Sequence, residues 1–539
     1  MPRPGSERVR QTLFQLFTHL KPALQRGPDV ARLSASHYPR STSFLAIFGS
    51  LYGFLRLYLY GWQPALPRTW TAWVTLLIAL PIFATVQFIS LLVSNSSPLP
   101  RSKTRRGRER YELLGTVPTE DGNVGSEDEI EDSCRHTAET RIPRSSALVW
   151  YTQLLVYATI ALVGLHEWAY ENEGDIRFRP ALQRVLADPH SHPTGLMRGE
   201  KIFIAAAFHQ NEAVIPYWTR TILDTIPYLG TDNVFVSIVE NYSKDRSPQL
   251  LRDFAQELNR RGVRNRVLVQ DETVKKPPQL EWNPRIEYLA AIRNQVLEPL
   301  LQSGGYDKVL FSNDVFIEPE SVIELLETRN GDYDFVCGLD FAHFGAYDMW
   351  VLRDRLGRLT SGIWPYFFDA AGYEAIKAEE PVPVFTCWNG IVVFKTDPLL
   401  PVHLRSNRTL SSSPLPSPPP TTHPWAQSAS DAGSPAMTPP LAFRASTEDE
   451  CYSSESFLLP YDFRRVMGLD KVYVNPRVIT AYTWKWYVWH KWVLRQQLVK
   501  WFVEEVWDGA WMQYARTVVG DPKEVWTWDG GDCHPWWKH

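Results

Sequence analysis

Beyond residue 200 the chain alternates between short, β-rich apolar runs and longer stretches that mix apolar and polar positions. KIFIAAAF, NVFVSIVE, RVLVQ and KVLFSNDVFI have the length and composition of buried strands. Between them, EAVIPYWTRTILDTIPYL, SPQLLRDFAQELNRRG and RIEYLAAIRNQVLEPLLQSG are of helix length. Ser247-Pro248 starts the middle helix and Gly262 stops it. This alternation predicts an α/β domain, a Rossmann-type, mostly parallel sheet with helices on both faces. Ligands of such sheets bind at the carboxyl ends of the strands. The polar residues gather there: HQNE (209–212), ENYSKD (240–245) and Asn313-Asp314.

The N-terminal third is patterned differently. Residues 69–94 are uncharged and long enough to cross a bilayer. Residues 146–165 are a second uncharged stretch of that kind. Residues 42–62 are a further candidate, interrupted by Arg56, for which a surface-lying or buried helix is the alternative. The expected organisation is a basic cytosolic leader (1–41), two spans (42–94), a cytosolic loop without apolar period (95–145), a third span (146–165), a polar stem (166–200) and a soluble domain (201–539). Residues 404–442, rich in Pro and Ser, read as an excursion within that domain. Basic residues in the leader and in RSKTRRGRER after residue 100 place both on the cytosolic side. With three spans the domain is lumenal; with two it is cytosolic.

Composition adds little until it reaches the cysteines and aromatics. The formal net charge of −4 gives no basic field for nucleic acid. The 22 Trp crowd towards the end of the chain, where they serve a core, a membrane face or stacking on sugars. Cys337, Cys387, Cys451 and Cys533 follow the predicted spans, as two disulfides or as four buried thiols. Asn241-Tyr-Ser and Asn407-Arg-Thr are glycosylation sequons. No P-loop, GxGxxG, HExxH or GxSxG is present.

Asp314 stands out because a carboxylate at the end of a buried strand needs a partner. It is placed to bind a divalent cation that bridges a diphosphate; capping the turn before Pro319 is the simpler role. Glu240 and Asn241 follow the second strand where acidic groups contact a nucleotide. Arg285 and Arg293 are eight apart, near one helical face, and either suits a phosphate.

FIAAAFHQNE, IVENYSKD, RIEYLAAIRNQVLEPL, KVLFSNDVFIEPE, DFVCGLDF, YDMWVLRDRLG, PVPVFTCWNGIVVF and YVNPRVITAYTW occur together in this order. As a series, spanning roughly residues 200 to 490, they resemble the fungal capsule-associated α-1,3-mannosyltransferase family, glycosyltransferase family 69. The resemblance implies a GT-A-like fold, a GDP-mannose donor, a glycan acceptor, a divalent cation (Mn2+ or Mg2+) and a Golgi or endoplasmic reticulum membrane with the catalytic domain lumenal. SND then stands where GT-A enzymes carry Asp-x-Asp, with Asp314 the metal ligand and Asn313 replacing an acidic residue beside the donor. Glu240 becomes the nucleotide contact. CWNG (387–390) lines the sugar and acceptor pocket, with Trp388 a stacking platform and Asn389 beside it. Asp340, Asp348 and Glu455 are candidate bases should the reaction invert configuration. Family members carry Ser-Glu-Cys where this chain has Ser454-Glu455-Ser456, with Cys451 a stand-in for the missing thiol. The rival classes are a glycan-binding scaffold of the same fold without turnover and a glycosidase, which needs two carboxylates about 5 to 10 Å apart.

Overall fold

The computed structural model describes residues 171–188, 193–410, 437–447 and 452–506, apart from residues 344, 349, 356, 358, 359 and 368. The leader, the candidate spans and the loop between them lie outside these residues, as do Cys451 and Cys533. Among the described residues no helix is long and apolar enough to cross a membrane.

Nine strands form one sheet: β1 (Ile202–Phe208), β2 (Val234–Glu240), β3 (Arg264–Leu268), β4 (Lys308–Ser312), β5 (Phe335–Phe341), β6 (Arg353–Asp354), β7 (Val382–Thr386), β8 (Ile391–Lys395) and β9 (Val472–Ala481). Their spatial order is β3-β2-β1-β4-β8-β5-β9-β7-β6. β1 to β4 pair in parallel, as the alternating pattern predicts. β8 then enters antiparallel to both β4 and β5, β5 pairs parallel to β9, and β7 returns antiparallel to β9. The sheet is therefore mixed: β1 to β5 and β9 point the same way, and the expected parallel set is interrupted by β8 and β7, which run against them. β8 follows β7 after only Cys387–Gly390, with no crossover helix between them, and both strands run against β5 and β9.

Helices α1 (Ile215–Leu229), α2 (Ser247–Arg260) and α3 (Trp282–Ser303) connect the parallel strands, and α4 (Pro319–Leu326) follows β4. β1 reads IFIAAAF and is buried almost throughout, because both of its faces are covered. Ser237 lies level with Ala205 and Ser312 with Ala206, so the two serines point to opposite faces. Ser237 donates to the Val296 carbonyl of α3 at 2.6 Å, and Ser312 accepts from the Trp218 indole of α1 at 2.9 Å. One helix is thus pinned to each face, and buried hydroxyls keep their partners.

The chain leaves for and returns from residues 411–436 against the same core. Leu441 donates to the Pro398 carbonyl at 2.9 Å, and Asn294 of α3 makes a reciprocal pair with the Phe443 backbone at 2.8 and 3.0 Å. Cys337 of β5 is disulfide-bonded to Cys387, at the start of the turn into β8, closing a sequence separation of 50 residues.

Candidate active site

The ends of β1, β2, β4, β5 and β9 and the beginning of β8 all lie on one edge of the sheet. Parallel register brings HQNE and SND together there: Asn211 Nδ2 donates to Asp314 Oδ2 at 2.6 Å. Asp314 therefore does not cap the next helix, whose N-cap residue is Glu318. Its half-buried carboxyl is pushed up from its ordinary range by desolvation, opposed by the Asn211 bond and the positive charge of Arg293. His209 donates from Nδ1 to the Asn241 carbonyl at 2.8 Å, joining the first two strand ends. The loops leaving β1, β2 and β3 each hold one non-glycine residue in the left-handed region, Gln210, Tyr242 and Gln270. Such conformations cost energy and persist where surrounding contacts enforce them.

Glu240 supplies such contacts for the second and third loops, and the Ser243 hydroxyl accepts from the Gln210 N–H in the first. Glu240 is fully buried, and its two oxygens accept from the Ser243 and Gln270 backbone N–H groups at 3.0 and 2.8 Å. The carboxylate that the sequence suggested for the nucleotide instead ties two loops together. Asn241 is also buried and donates to the Tyr288 hydroxyl at 2.7 Å, which removes its sequon from solvent. Asn407, in the other sequon, is exposed.

Trp388 is fully buried as well, against Phe311, Phe335, Phe394 and Phe443. The Arg293 guanidinium lies 4.4 Å from its ring centroid. This ring belongs to the core, so it is not the platform for a sugar that the sequence suggested. Its indole N–H donates to Asn313 Oδ1 at 3.2 Å, and Asn313 Nδ2 donates to the Tyr482 hydroxyl at 3.0 Å.

The β5 side of the edge is more acidic. Asp340 is fully buried, and desolvation, with the charges of Asp348 and Asp314, pushes its carboxyl well up. Asp348 is pushed up to about 7 by desolvation and by Glu455, against the pull of Arg293 and Arg353. Arg293 reaches within 3.1 Å of Glu455, the first residue of helix α5 (Glu455–Met467). Ser454 caps this helix by accepting from Phe457, and Ser456 lies 3.0 Å from the Ser454 hydroxyl. Four buried atoms here make no protein hydrogen bond: Arg293 Nη1, which is ion-paired with Glu455, Asp340 Oδ2, Asn389 Nδ2 and Glu455 Oε2. Arg285 is exposed at the start of α3, and its charge is felt at Tyr347 and Tyr452.

Asp314, Asp340, Asp348, Asn313, Arg293 and Glu455 are thus gathered at one edge. Glu240, Asn241 and Trp388 frame it from inside. Sequence reasoning picked out HQNE and CWNG without singling out Asn211 or Gly390, and did not select Tyr288 or Tyr482. HQNE at a strand end was a signal for Asn211, whereas Tyr482 lies beyond an ordinary strand in sequence and reaches the site only through the β5–β9 pairing.

Among the described residues no group of three or more His, Cys, Asp or Glu side chains is placed to hold a metal ion. Mg2+ or Mn2+ on a diphosphate needs fewer, one or two carboxylates with phosphate and water completing the shell. Asp314 beside the unpartnered oxygen of Asp340 meets that need.

The fold and site define an α/β protein with charged and amide side chains gathered at the carboxyl edge of its sheet. Residues 201–462 match the sequence model of a family described as cryptococcal mannosyltransferase 1. The chain is 27% identical over 219 residues to alpha-1,3-mannosyltransferase CMT1 of Cryptococcus neoformans var. neoformans serotype D, an alignment covering 36% of this chain and 46% of that protein. Residues 201–462 are thus similar to the capsule-associated mannosyltransferase family. The chain spans about half the length of the curated relative it matches. Among solved structures, mannosyltransferase PcManGT from Pyrobaculum calidifontis, in complex with GDP-Man and Mn2+, gives a TM-score of 0.27 at 9% identity, over 67% of this chain and 75% of that one. Glucosyl-3-phosphoglycerate synthase from Mycobacterium tuberculosis, with Mn2+, UDP and glucosyl-3-phosphoglycerate, gives 0.26 at 16% identity, over 53% and 72%. Neither superposition is close enough to bear on fold or ligand.

Proposed function

We propose that this protein is a membrane-anchored glycosyltransferase with a GT-A-like domain that moves mannose from GDP-mannose to a hydroxyl of a cell-wall, capsule or secretory glycan, forming an α-1,3 linkage. The observation that carries this reading is the meeting of Asp314, Asn211 and Asp340 at the carboxyl edge, inside the segment that matches the family. Asp314 would hold a divalent cation, Mn2+ or Mg2+, which supplies neutralisation of the donor's diphosphate. Asn211 fixes the orientation of the Asp314 carboxylate. Arg285, exposed at the mouth, is available to the diphosphate. Asp348, with its carboxyl near neutrality, is the residue best suited to exchange a proton with an acceptor hydroxyl, as inversion would require. Retention would leave that proton to the departing phosphate. Placement on a Golgi or endoplasmic reticulum membrane, with the domain lumenal, is supported by the uncharged stretches 69–94 and 146–165. The Cys337–Cys387 bond, of a kind that persists in oxidising compartments, supports it too.

The test is titration of the detergent-solubilised full chain with GDP and with UDP, with and without Mn2+, beside Asp314→Ala. Mn2+-dependent binding of GDP, weaker for UDP and lost in Asp314→Ala, is the expected result. A folded protein that binds neither nucleotide under any condition overturns the reading in favour of a glycan-binding scaffold.

A further inference from the structure

Asn313 occupies the position where an Asp-x-Asp pattern has an acidic residue, yet its amide has no free end. Oδ1 accepts from the Trp388 indole at 3.2 Å, and Nδ2 donates to the Tyr482 hydroxyl at 3.0 Å. Trp388 is fully buried, so turning Asn313 towards a ligand would leave the indole N–H unpaired. Asp340 presents the opposite case. It is fully buried, its Oδ1 has a long 3.5 Å contact from the Thr480 hydroxyl, the Phe341 N–H and the Tyr482 hydroxyl favour its charged form, and its Oδ2 makes no hydrogen bond of good geometry.

Gly390 lies between the two. Its carbonyl accepts from the Asn313 N–H at 2.8 Å, and a Cβ built on it would stand 3.0 Å from Asp340 Cγ and collide with the Thr480 hydroxyl. Its φ of +79° also favours glycine. β8, which starts immediately after Gly390, is the one strand between β4 and β5. Two strand spacings are roughly 9 to 10 Å between backbones, a span that facing Asp side chains narrow to what one cation can bridge.

We propose that the second protein carboxylate of the cation site is Asp340, reaching past the space that Gly390 leaves in β8, and that Asn313 frames the site without being a ligand. The inference rests on the reading of Asp314 as a cation ligand. The charges of Asp314 and Asp348 both bear on Asp340, an unfavourable arrangement that a divalent cation relieves.

The experiment counts Mn2+ bound to the full chain at saturating GDP, from the electron paramagnetic resonance signal of free Mn2+, and follows thermal unfolding of the ligand-free protein in parallel. Asp340→Asn is expected to weaken Mn2+ binding at least 10-fold while leaving the ligand-free unfolding midpoint unchanged or higher, since it removes a buried like charge. Gly390→Ala is expected to weaken binding by displacing Asp340, and Asn313→Asp to give no recovery when added to Asp340→Asn. Unsubstituted affinity in both Asp340→Asn and Gly390→Ala, with binding lost in Asp314→Asn, overturns the inference and leaves the cation reading standing. No Mn2+ binding by the unsubstituted protein overturns the cation reading itself.

Discussion

The carboxyl edge of the sheet divides at β8 into two regions with opposite habits. On the β1, β2 and β4 side the polar residues at the strand ends are partnered: Glu240 accepts two backbone N–H groups, Asn241 meets Tyr288, and Asn211 meets Asp314. On the β8 and β5 side, Asp340 Oδ2 and Asn389 Nδ2 are buried without hydrogen-bond partners, and Glu455 Oε2 repeats this at the start of α5. Buried polar atoms are ordinarily paired, so the first region is a finished frame and the second keeps unmet capacity where a ligand would supply it. The acidic character follows the same division. Asp340 and Asp348 are held protonated more readily than ordinary carboxylates, the cost of placing several negative charges together out of water.

The comparison breaks if substitutions in the two regions have the same consequence. The largest effect expected is on turnover, from the boundary between them. Asp314→Ala should lower kcat/KM for the donor by about 100- to 1000-fold, the scale of removing one electrostatic stabiliser of a developing charge. The ligand-free unfolding midpoint should barely move, because the removed carboxyl was held at a desolvation cost.

In the frame the expected loss is one of stability. Glu240→Ala leaves two loop N–H groups without their acceptor and should cost about 3 kcal/mol in denaturant unfolding, with activity falling only as the folded fraction falls. A specific loss of donor affinity in a fully folded Glu240→Ala would return Glu240 to the nucleotide. Trp388→Phe keeps most of the ring packing but removes the donor to Asn313, and should cost about 1 kcal/mol by the same measurement.

The smallest effect is a slope. Asp348 titrates at about 7 when folded, against an ordinary value of 3.8, so between those values the folded protein binds more protons than the unfolded chain. Its contribution therefore makes the ligand-free protein less stable as pH rises from about 4 to 7, the reverse of a salt-bridged aspartate. Asp348→Asn should flatten that part of the profile, read from unfolding midpoints across the pH range. An unchanged profile would move Asp348 out of the buried acidic group.

The sequence by itself determined the local elements and the edge at which chemistry gathers. Apolar runs bounded by polar turns located β1 to β4, and the rule that parallel strands present ligands at their carboxyl ends selected HQNE, ENYSKD and Asn313-Asp314. These features are local, carried by periodicity within one strand and the turn that follows it. Tertiary structure decided the second half of the sheet, where β8 runs antiparallel between β4 and β5, two strands that lie far from it in the chain. It also decided what each polar side chain does. Glu240 and Asp340 are both acidic residues at the end of apolar strands, yet one faces two loop N–H groups and the other faces Gly390 and two further carboxylates. Nothing within either strand distinguishes them, because Gln270 reaches Glu240, and Gly390 and Thr480 reach Asp340, from distant segments of the chain. Trp388 shows the same dependence: an aromatic beside a polar turn reads as a sugar platform until the sheet closes four phenylalanines and an arginine around it.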